Sequence, residues 1–503
     1  MVLSLDPTRR CRGRAHRVVL VLVTLVAGCS LTPAQKGAPE IPERIDMSAQ
    51  AADAPRPDSL VLAGLRQAAW WRELGSDPLN AVMDTVGANN LDLAIAAERV
   101  LELQNQYRIQ WAPRAPSVQF SGDGTRQVTP TNSGNTGSFS ANIPGFPDRF
   151  DITSYSASLG FGWELDIWGR LRAASRAARE QYVAQLAGER AVRLAVEAEA
   201  LGAWAALRQI ERQRALTREQ VDLLAERTEL ARERYERGIT SSFELYQLQQ
   251  ARDDARAAAP LLARARYESL SRLGLIMGGT AATAEAILAG EGEGDQAGHP
   301  ATHDLPGALP DALPSEVVLS RPDVLEARAL MESARHAVGA ARAEQFPSFS
   351  LTGTFGTQAN DISSLVDIDQ RFWLFGGSLT APVFSSGARR AAARATWNRY
   401  EQAALAYQKA VLSAFRDVGL ALETLAAESA RYEASLEAFE AARALSEDQE
   451  RRYLRGIGSY TAFVDARLGE VRAEIALSAA GRDLFLARVG LYRAAGHHPS
   501  EHA

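Results

Sequence analysis

The sequence predicts an α+β membrane protein made of two tandem structural repeats. Each repeat pairs two β-strands with a very long helical hairpin. Three observations carry this reading. The chain repeats itself: Arg234-Tyr235-Glu236-Arg237-Gly238-Ile239 recurs 218 residues later as Arg452-Tyr453-Leu454-Arg455-Gly456-Ile457. Self-similarity at a fixed offset marks duplicated units. Residues 148–259 and 383–498 contain no proline and are rich in Ala, Leu, Glu, Arg and Gln, the strong helix formers. The segments just before the long helices alternate apolar with small polar residues, the period of a strand with two unlike faces.

The strands come first in each repeat. Tyr155, Ala157, Leu159, Phe161 and Trp163 fall on one face, and Ser154, Ser156, Ser158, Gly160 and Gly162 on the other. In the second repeat Phe349, Leu351, Gly353 and Phe355 oppose Ser348, Ser350, Thr352 and Thr354. Strands are expected at about 116–128 and 153–163, and at about 347–358 and 372–382. A soluble half-buried sheet alternates in the same way. The aromatic pairs Trp163 with Trp168, and Phe372 with Trp373, favour the interfacial girdles of a transmembrane barrel. Four strands are too few to close such a barrel, which needs about eight or more. An open sheet edge in lipid leaves backbone groups unsatisfied. Several chains must therefore pool their strands. The Ser, Thr and Gly face would line a polar lumen.

The helices follow. Hairpins are expected over about 168–277 and 387–496, with tips at 237–241 and 455–459. The 69 residues from Trp168 to Glu236 would make a helix of roughly 100 Å. Leu216, Leu223 and Leu230 keep heptad spacing, as do Leu425, Tyr432 and Phe439, which suits coiled-coil packing. Gly238 and Gly456 read as helix-terminating residues that reverse the chain. Pro260 predicts a kink or break in the first return helix. Ser478 holds the matching position in the second.

The N-terminus reads as a processed export signal over 1–28. Arg9, Arg10, Arg12, Arg14 and Arg17 precede the apolar run Val18–Ala27, too short to span a bilayer but right for a signal peptide. Arg9-Arg10 lacks the flanking pattern of a twin-arginine signal. Val26-Ala27-Gly28-Cys29 resembles a bacterial lipobox, in which Cys29 is acylated and becomes the first mature residue. The alternative is an ordinary signal peptide followed by a chance cysteine. Cleavage removes Cys11, five Arg and one Asp, taking the formal charge from −6 to −10. Ser30 is compatible with outer membrane sorting. Residues 29–58, rich in Pro and Ala, read as a lipidated tether.

Composition excludes several classes. With 46% hydrophobic and 23% charged residues, the 503-residue chain is neither disordered nor a polytopic helical membrane protein. Its acidity argues against nucleic acid as a partner. Two cysteines rule out a disulfide scaffold. His497, His498 and His502 in the polar 497–503 tail are the one candidate for a metal-binding tail, and no metal site is expected. No Walker, HExxH or Gly-x-Ser-x-Gly motif occurs, so no enzyme activity, catalytic residue or cofactor is expected.

Several longer motifs resemble the outer membrane efflux protein family, the TolC-like channels, and within it the lipidated OprM/NodT-type branch. Trp163-Glu164-Leu165-Asp166-Ile167-Trp168-Gly169-Arg170-Leu171-Arg172 is similar to that family's strand-to-helix signature. Leu313-Pro314-Ser315-Glu316, running on to Arg321-Pro322-Asp323-Val324, resembles the opening of its second repeat. Phe346-Pro347-Ser348-Phe349 resembles the start of that repeat's first strand, and Ala381-Pro382-Val383-Phe384 the end of the fourth strand. Ser385-Ser386 departs from the family's usual Asp-Gly. The likeness covers about 68–497. It implies a homotrimer whose chains form one twelve-stranded outer membrane β-barrel, continued by a periplasmic α-helical barrel. The repeats would span 59–277 and 321–496, with an equatorial segment at 278–320. It also implies a passive exit duct for small molecules such as drugs. The expected partners are a periplasmic adaptor and an inner-membrane transporter of the RND type. A type I protein secretion duct and a non-channel periplasmic coiled-coil protein are the alternatives. Gly238-Ile239-Thr240 and Gly456-Ile457-Gly458 match the adaptor-docking tips. Glu244 and Asp465 fall where the family carries acids at the periplasmic gate, giving rings of three carboxylates in a trimer. The family's second acid and its arginine fall at Ala462 and Gly458, which carry no charge. The gate is then held differently, with Tyr453 and Tyr460 as candidates.

Overall fold

The structure is a computed structural model that describes residues 32–34, 44–46, 71–72, 77–131, 147, 149–289 and 312–496. The expected signal peptide, Cys29 and the histidine tail lie outside the described residues. In chain order the elements are β1 (Arg44–Asp46), α1 (Asp77–Asn89), α2 (Leu91–Trp111), β2 (Ser117–Pro130), β3 (Arg149–Leu165), α3 (Arg170–Glu236), α4 (Ser242–Ile276) and α5 (Ala281–Ala289). Then come β4 (Ala312–Pro314), α6 (Ser315–Leu319), α7 (Pro322–Ala343), β5 (Ser348–Ala359), β6 (Arg371–Thr380), α8 (Ala388–Leu454) and α9 (Tyr460–Ala495). Among the described residues no helix is long and apolar enough to cross a membrane.

The chain divides into two compact units. One holds residues 102–183 and 329–405 with the N-terminal segment through Gly37. Its centre is a four-stranded antiparallel sheet in the order β2-β3-β5-β6. β3 spans 17 residues, longer than the alternation alone suggests, because Arg149–Thr153 continue the ladder opposite Arg126–Pro130. The outer edges of β2 and β6 have no strand beside them among the described residues.

The second unit holds residues 38–101, 184–328 and 406–503. Its main core gathers Leu79, Val82 and Val86 of α1, Leu201, Trp204 and Leu207 of α3, Leu273 and Ile276 of α4, and Phe485 of α9. The Trp204 and Phe485 rings lie 5.9 Å apart. Each fully buried Leu or Phe here contributes about 2 kcal/mol. β1 and β4 pair antiparallel, Ile45 opposite Leu313. The stretch 29–58 is therefore not all linker: Arg44–Asp46 is a strand, and Thr32–Ala34 is seated on α7 and α8 by hydrogen bonds described below. A tether has no such partners, and composition alone does not reveal them.

α3 and α8 each run for 67 residues. They begin, and they end, 218 positions apart. The chain reverses over 237–241 and 455–459. Gly238 (φ +71°) and Gly456 (φ +73°) occupy the left-handed region, which costs a residue with a Cβ about 1–2 kcal/mol. The amides of Ile239 and Ile457 donate to the carbonyls of Arg234 and Arg452, at 2.8 and 3.0 Å, closing both helix ends by the same Schellman pattern. α4 passes through Pro260 without a break. The proline removes one backbone donor, but Ala255 on one side and Leu270 and Leu273 on the other are buried in packed clusters. That packing outweighs the local defect.

α3 and α9 meet along an antiparallel polar ladder. Arg212 pairs with Glu474, Arg467 donates to Glu219 at 2.7 Å, and the Tyr460 hydroxyl donates to Glu226. The partners step by seven residues on each helix, so the ladder follows the heptad. Arg321 is a second polar hub, 8% exposed. It donates to the Ala494 carbonyl at 2.6 Å and to Asp323 at 2.8 Å. Burial pushes the Asp323 carboxyl up, but the Arg321 hydrogen bond and charge outweigh it and hold it below its ordinary value.

Candidate functional site

The sheet register decides which side chains share a face. Val118, Phe161, Gly353 and Phe375 lie in one row, and Phe120, Leu159, Phe355 and Trp373 in the next. Val118, Phe120, Phe355, Trp373 and Phe375 are all exposed, so this is an uncovered apolar face. The other face carries Ser121, Ser158 and Gly356, with Gln119, Gly160 and Thr354 beside them. The Ser121 and Ser158 hydroxyls lie 3.0 Å apart, and Gln358 donates to Ser154 at 3.0 Å.

This register corrects the aromatic girdle. Phe372 and Trp373 are adjacent in β6 and so point to opposite faces. Trp373 joins the apolar face. Phe372 pairs with Gly356, which pairs with Ser158, and so lies on the polar face. Trp168 sits beyond the end of β3. Its indole donates to the Pro347 carbonyl at 2.7 Å and stacks on Phe346. Trp163 is in β3 on the apolar face, its indole donating to the Arg114 carbonyl at 3.1 Å.

At the hairpin tips Ile239 and Ile457 are exposed to 69% and 74%. The Thr240 hydroxyl donates to Glu244, and the Gly458 amide donates to the Arg452 carbonyl at 3.1 Å. Phe243, Tyr246 and Leu454 are also exposed there. They were not among the expected tip residues, although their apolar character beside the repeated Gly-Ile was the available signal.

The two expected gate acids converge on one cation. Arg227 of α3 pairs with Asp465 of α9, and the charge of Glu244 of α4 also acts on Arg227. Burial pushes the Arg227 guanidinium down, and Glu244 opposes that shift. The Arg227 side chain is 16% exposed and that of Asp465 is 51% exposed. Sequence reasoning missed Arg227, because arginine is frequent all along α3. Beside it Tyr460 is held by Glu226, and Tyr453 lies 5.4 Å from Tyr460 and stacks on Phe463. The Glu226 carboxylate raises the Tyr460 phenol to about 12. The phenol therefore stays a donor at neutral pH. Among the described residues no three His, Cys, Asp or Glu side chains group as a metal site.

A four-stranded antiparallel sheet with one apolar face, joined to two long helical hairpins, is the chain fold of a TolC-like channel. A crystal structure of a membrane protein from Pseudomonas aeruginosa superposes with a TM-score of 0.76 at 26% identity, covering 93% of this chain and 100% of that one. The outer membrane efflux protein family model matches residues 82–279 and 313–497, and this chain belongs to that family. The antibiotic efflux pump outer membrane protein ArpC of Pseudomonas putida is 30% identical over 484 residues, 95% of this chain and 94% of the relative. The outer membrane protein OprJ of Pseudomonas aeruginosa is 29% identical, covering 96% of each.

Proposed function

We propose that the protein is the outer membrane exit duct of a tripartite efflux system, conducting small molecules passively from an inner-membrane transporter through a periplasmic adaptor. The observation that carries this reading is the sheet: four strands, one apolar face, and two outer edges without a neighbouring strand among the described residues. In lipid such edges are not tolerated. Three chains supply the twelve strands that close them, and the equal hairpins, offset by 218 residues as a tandem repeat, continue below as a helical barrel. The names of the relatives, which include an antibiotic efflux pump protein, favour small-molecule cargo.

The tips at Gly238-Ile239-Thr240 and Gly456-Ile457-Gly458 are the adaptor-docking surface in this reading, and acylated Cys29 anchors the chain in the outer membrane. Glu244 and Asp465 form the periplasmic gate with Arg227, which ties the two hairpins of one chain together. Trp163 and Trp373, with Trp168 just beyond the end of β3, are the girdle aromatics in this reading; Phe372, on the polar face, is not. Single-channel recording in planar bilayers tests the gate. Asp465→Ala is expected to raise conductance or weaken cation preference. Wild-type conductance and selectivity in that variant would remove Asp465 from the gate.

A further inference from the structure

The short segment Thr32-Pro33-Ala34 lies in a fitted seat on α7 and α8, in the unit that contains the sheet. Pro33 is buried. Its carbonyl accepts from the Arg335 guanidinium at 2.9 Å, and the Ala34 carbonyl accepts from the Tyr400 hydroxyl at 3.1 Å. Both bonds read backbone, so they fix the path of the segment and not its side chains. A third contact is steric. A Cβ on Gly339 would lie 2.6 Å from the Thr32 hydroxyl oxygen and 3.4 Å from its Cα, so the absent side chain lets Thr32 lie close against α7 without turning its hydroxyl away.

The seat is itself held in place. Arg335 is bound by Glu332 at 2.7 Å. Tyr400 is 1% exposed, its ring packed edge-on against Trp397 at 5.7 Å, and the Arg342 guanidinium stacks over Trp397 at 5.2 Å. A buried tyrosine with its one hydroxyl committed to a backbone carbonyl, a buttressed arginine committed to the next, and a glycine at the point of closest approach form a site built for an extended strand of chain. The functional reading above gives none of these residues a task.

We infer that Arg335, Gly339 and Tyr400 form a docking cradle for the N-terminal arm and fix where the lipid anchor enters the membrane. This rests on the reading of Cys29 as the acylated first residue. Cys29 is three residues upstream of Thr32 and can reach at most about 10 Å from it. Gly339 is four residues, about 6 Å of helix, before α7 ends at Ala343, and β5 starts five residues later at Ser348. The cradle thus holds the acyl chains beside the base of the sheet, in the leaflet that meets the periplasmic end of the barrel. Without it, a lipidated arm of this composition would let the anchor wander over the neighbouring membrane.

The test uses the full-length protein extracted in detergent, where the periplasmic side is open to added reagents. The chain has two lysines, Lys36 and Lys409. Lys36 is two residues past the cradle, and Lys409 is inside α8, so cleavage by a lysine-specific protease at Lys36 reports release of the arm. Arg335→Ala with Tyr400→Phe is expected to raise that cleavage about tenfold, the scale of losing one or two net hydrogen bonds. An unchanged rate would overturn the cradle. A second variant keeps the test decisive if this pair folds poorly. The Gly339 Cβ position is 3.4 Å from the Thr32 Cβ, close to disulfide spacing. Thr32→Cys/Gly339→Cys is expected to cross-link fully on oxidation with copper phenanthroline, and no cross-link would likewise overturn the proposal. Intact mass of the same samples reads the acyl group at Cys29 independently. An acylated chain with a mobile arm sinks the cradle alone. A cross-linked chain without the acyl mass sinks the lipid anchor and, with it, the anchoring role assigned to the cradle.

Discussion

Arg227 is central to the proposed gate because it pairs with Asp465 of α9 and feels the charge of Glu244 of α4. It is mostly buried, and its Nε has no hydrogen-bond partner. Breaking a buried ion pair by removing one partner costs about 3–5 kcal/mol, and the half-exposed Asp465 discounts this to about 1–2 kcal/mol. Arg227→Ala is therefore expected to lower the melting temperature of the extracted protein and to raise channel conductance, the same direction expected of Asp465→Ala. Tyr460 gives a pH test. Its phenol pKa is raised to about 12 by the Glu226 carboxylate. A raised pKa contributes stability that is fully present below the ordinary value near 10 and is lost as pH rises through 12. The α3–α9 contact is thus expected to be insensitive to pH from neutral to about 9 and to weaken above 10. Tyr460→Phe should abolish that alkaline transition in a melting-temperature series; a transition that persists would assign it elsewhere. Asp323 works in the opposite sense. Its pKa is depressed by Arg321, so its contribution is present above its ordinary value and disappears as pH falls through the lower folded one. None of these pairings was legible beforehand. Glu244 and Asp465 were placed by counting from the tip glycines. A count gives a position on a helix, but it does not reveal what packs opposite.

At the scale of elements, the hairpins were the most legible part of the chain. Their signals are local: two proline-free stretches, a repeated Arg-Gly-Ile, and helix-forming composition. Gly456→Ala is expected to cost about 1–2 kcal/mol through the left-handed backbone alone. The ladder between α3 and α9 offers a sharper test. Glu219→Arg sets like charges against Arg467 and should destabilise the protein by about 1 kcal/mol or more at this partly exposed pair. Glu219→Arg/Arg467→Glu should recover most of that loss in thermal melts. Failure of the exchange to rescue would mean that the pair contributes through packing and not through charge. Pro260 shows where local reasoning stops. A proline within a helix removes one donor, a cost of about 3 kcal/mol, whereas the buried residues on either side of it contribute more in total, and α4 runs through. Phe372 shows the same limit in the strands. Composition grouped it with Trp373 as one aromatic patch, but a period of two separates neighbours in a strand by construction.

For the whole molecule, the first measurement is native mass spectrometry of the detergent-extracted mature protein. Three chains, each beginning at Cys29 with an added acyl mass, are expected. A soluble unlipidated monomer would overturn both the shared barrel and the anchor. The apolar sheet face makes the same point energetically. Exposed Phe120, Phe355, Trp373 and Phe375 form a contiguous patch of a kind that marks an interface or a membrane-facing surface. The sequence by itself determined the elements and the two unlike sheet faces, because helix and strand periods come from the backbone geometry of neighbouring residues. It also determined the reversals at Gly238 and Gly456, because few residues other than glycine accept their left-handed backbone. Only the tertiary structure decided that Arg227 pairs with Asp465 within reach of the Glu244 charge, that Thr32–Ala34 is seated against Gly339, and that α4 stays whole at Pro260. Each of these depends on which distant segments are brought into contact, and that is settled by burial and packing across the fold.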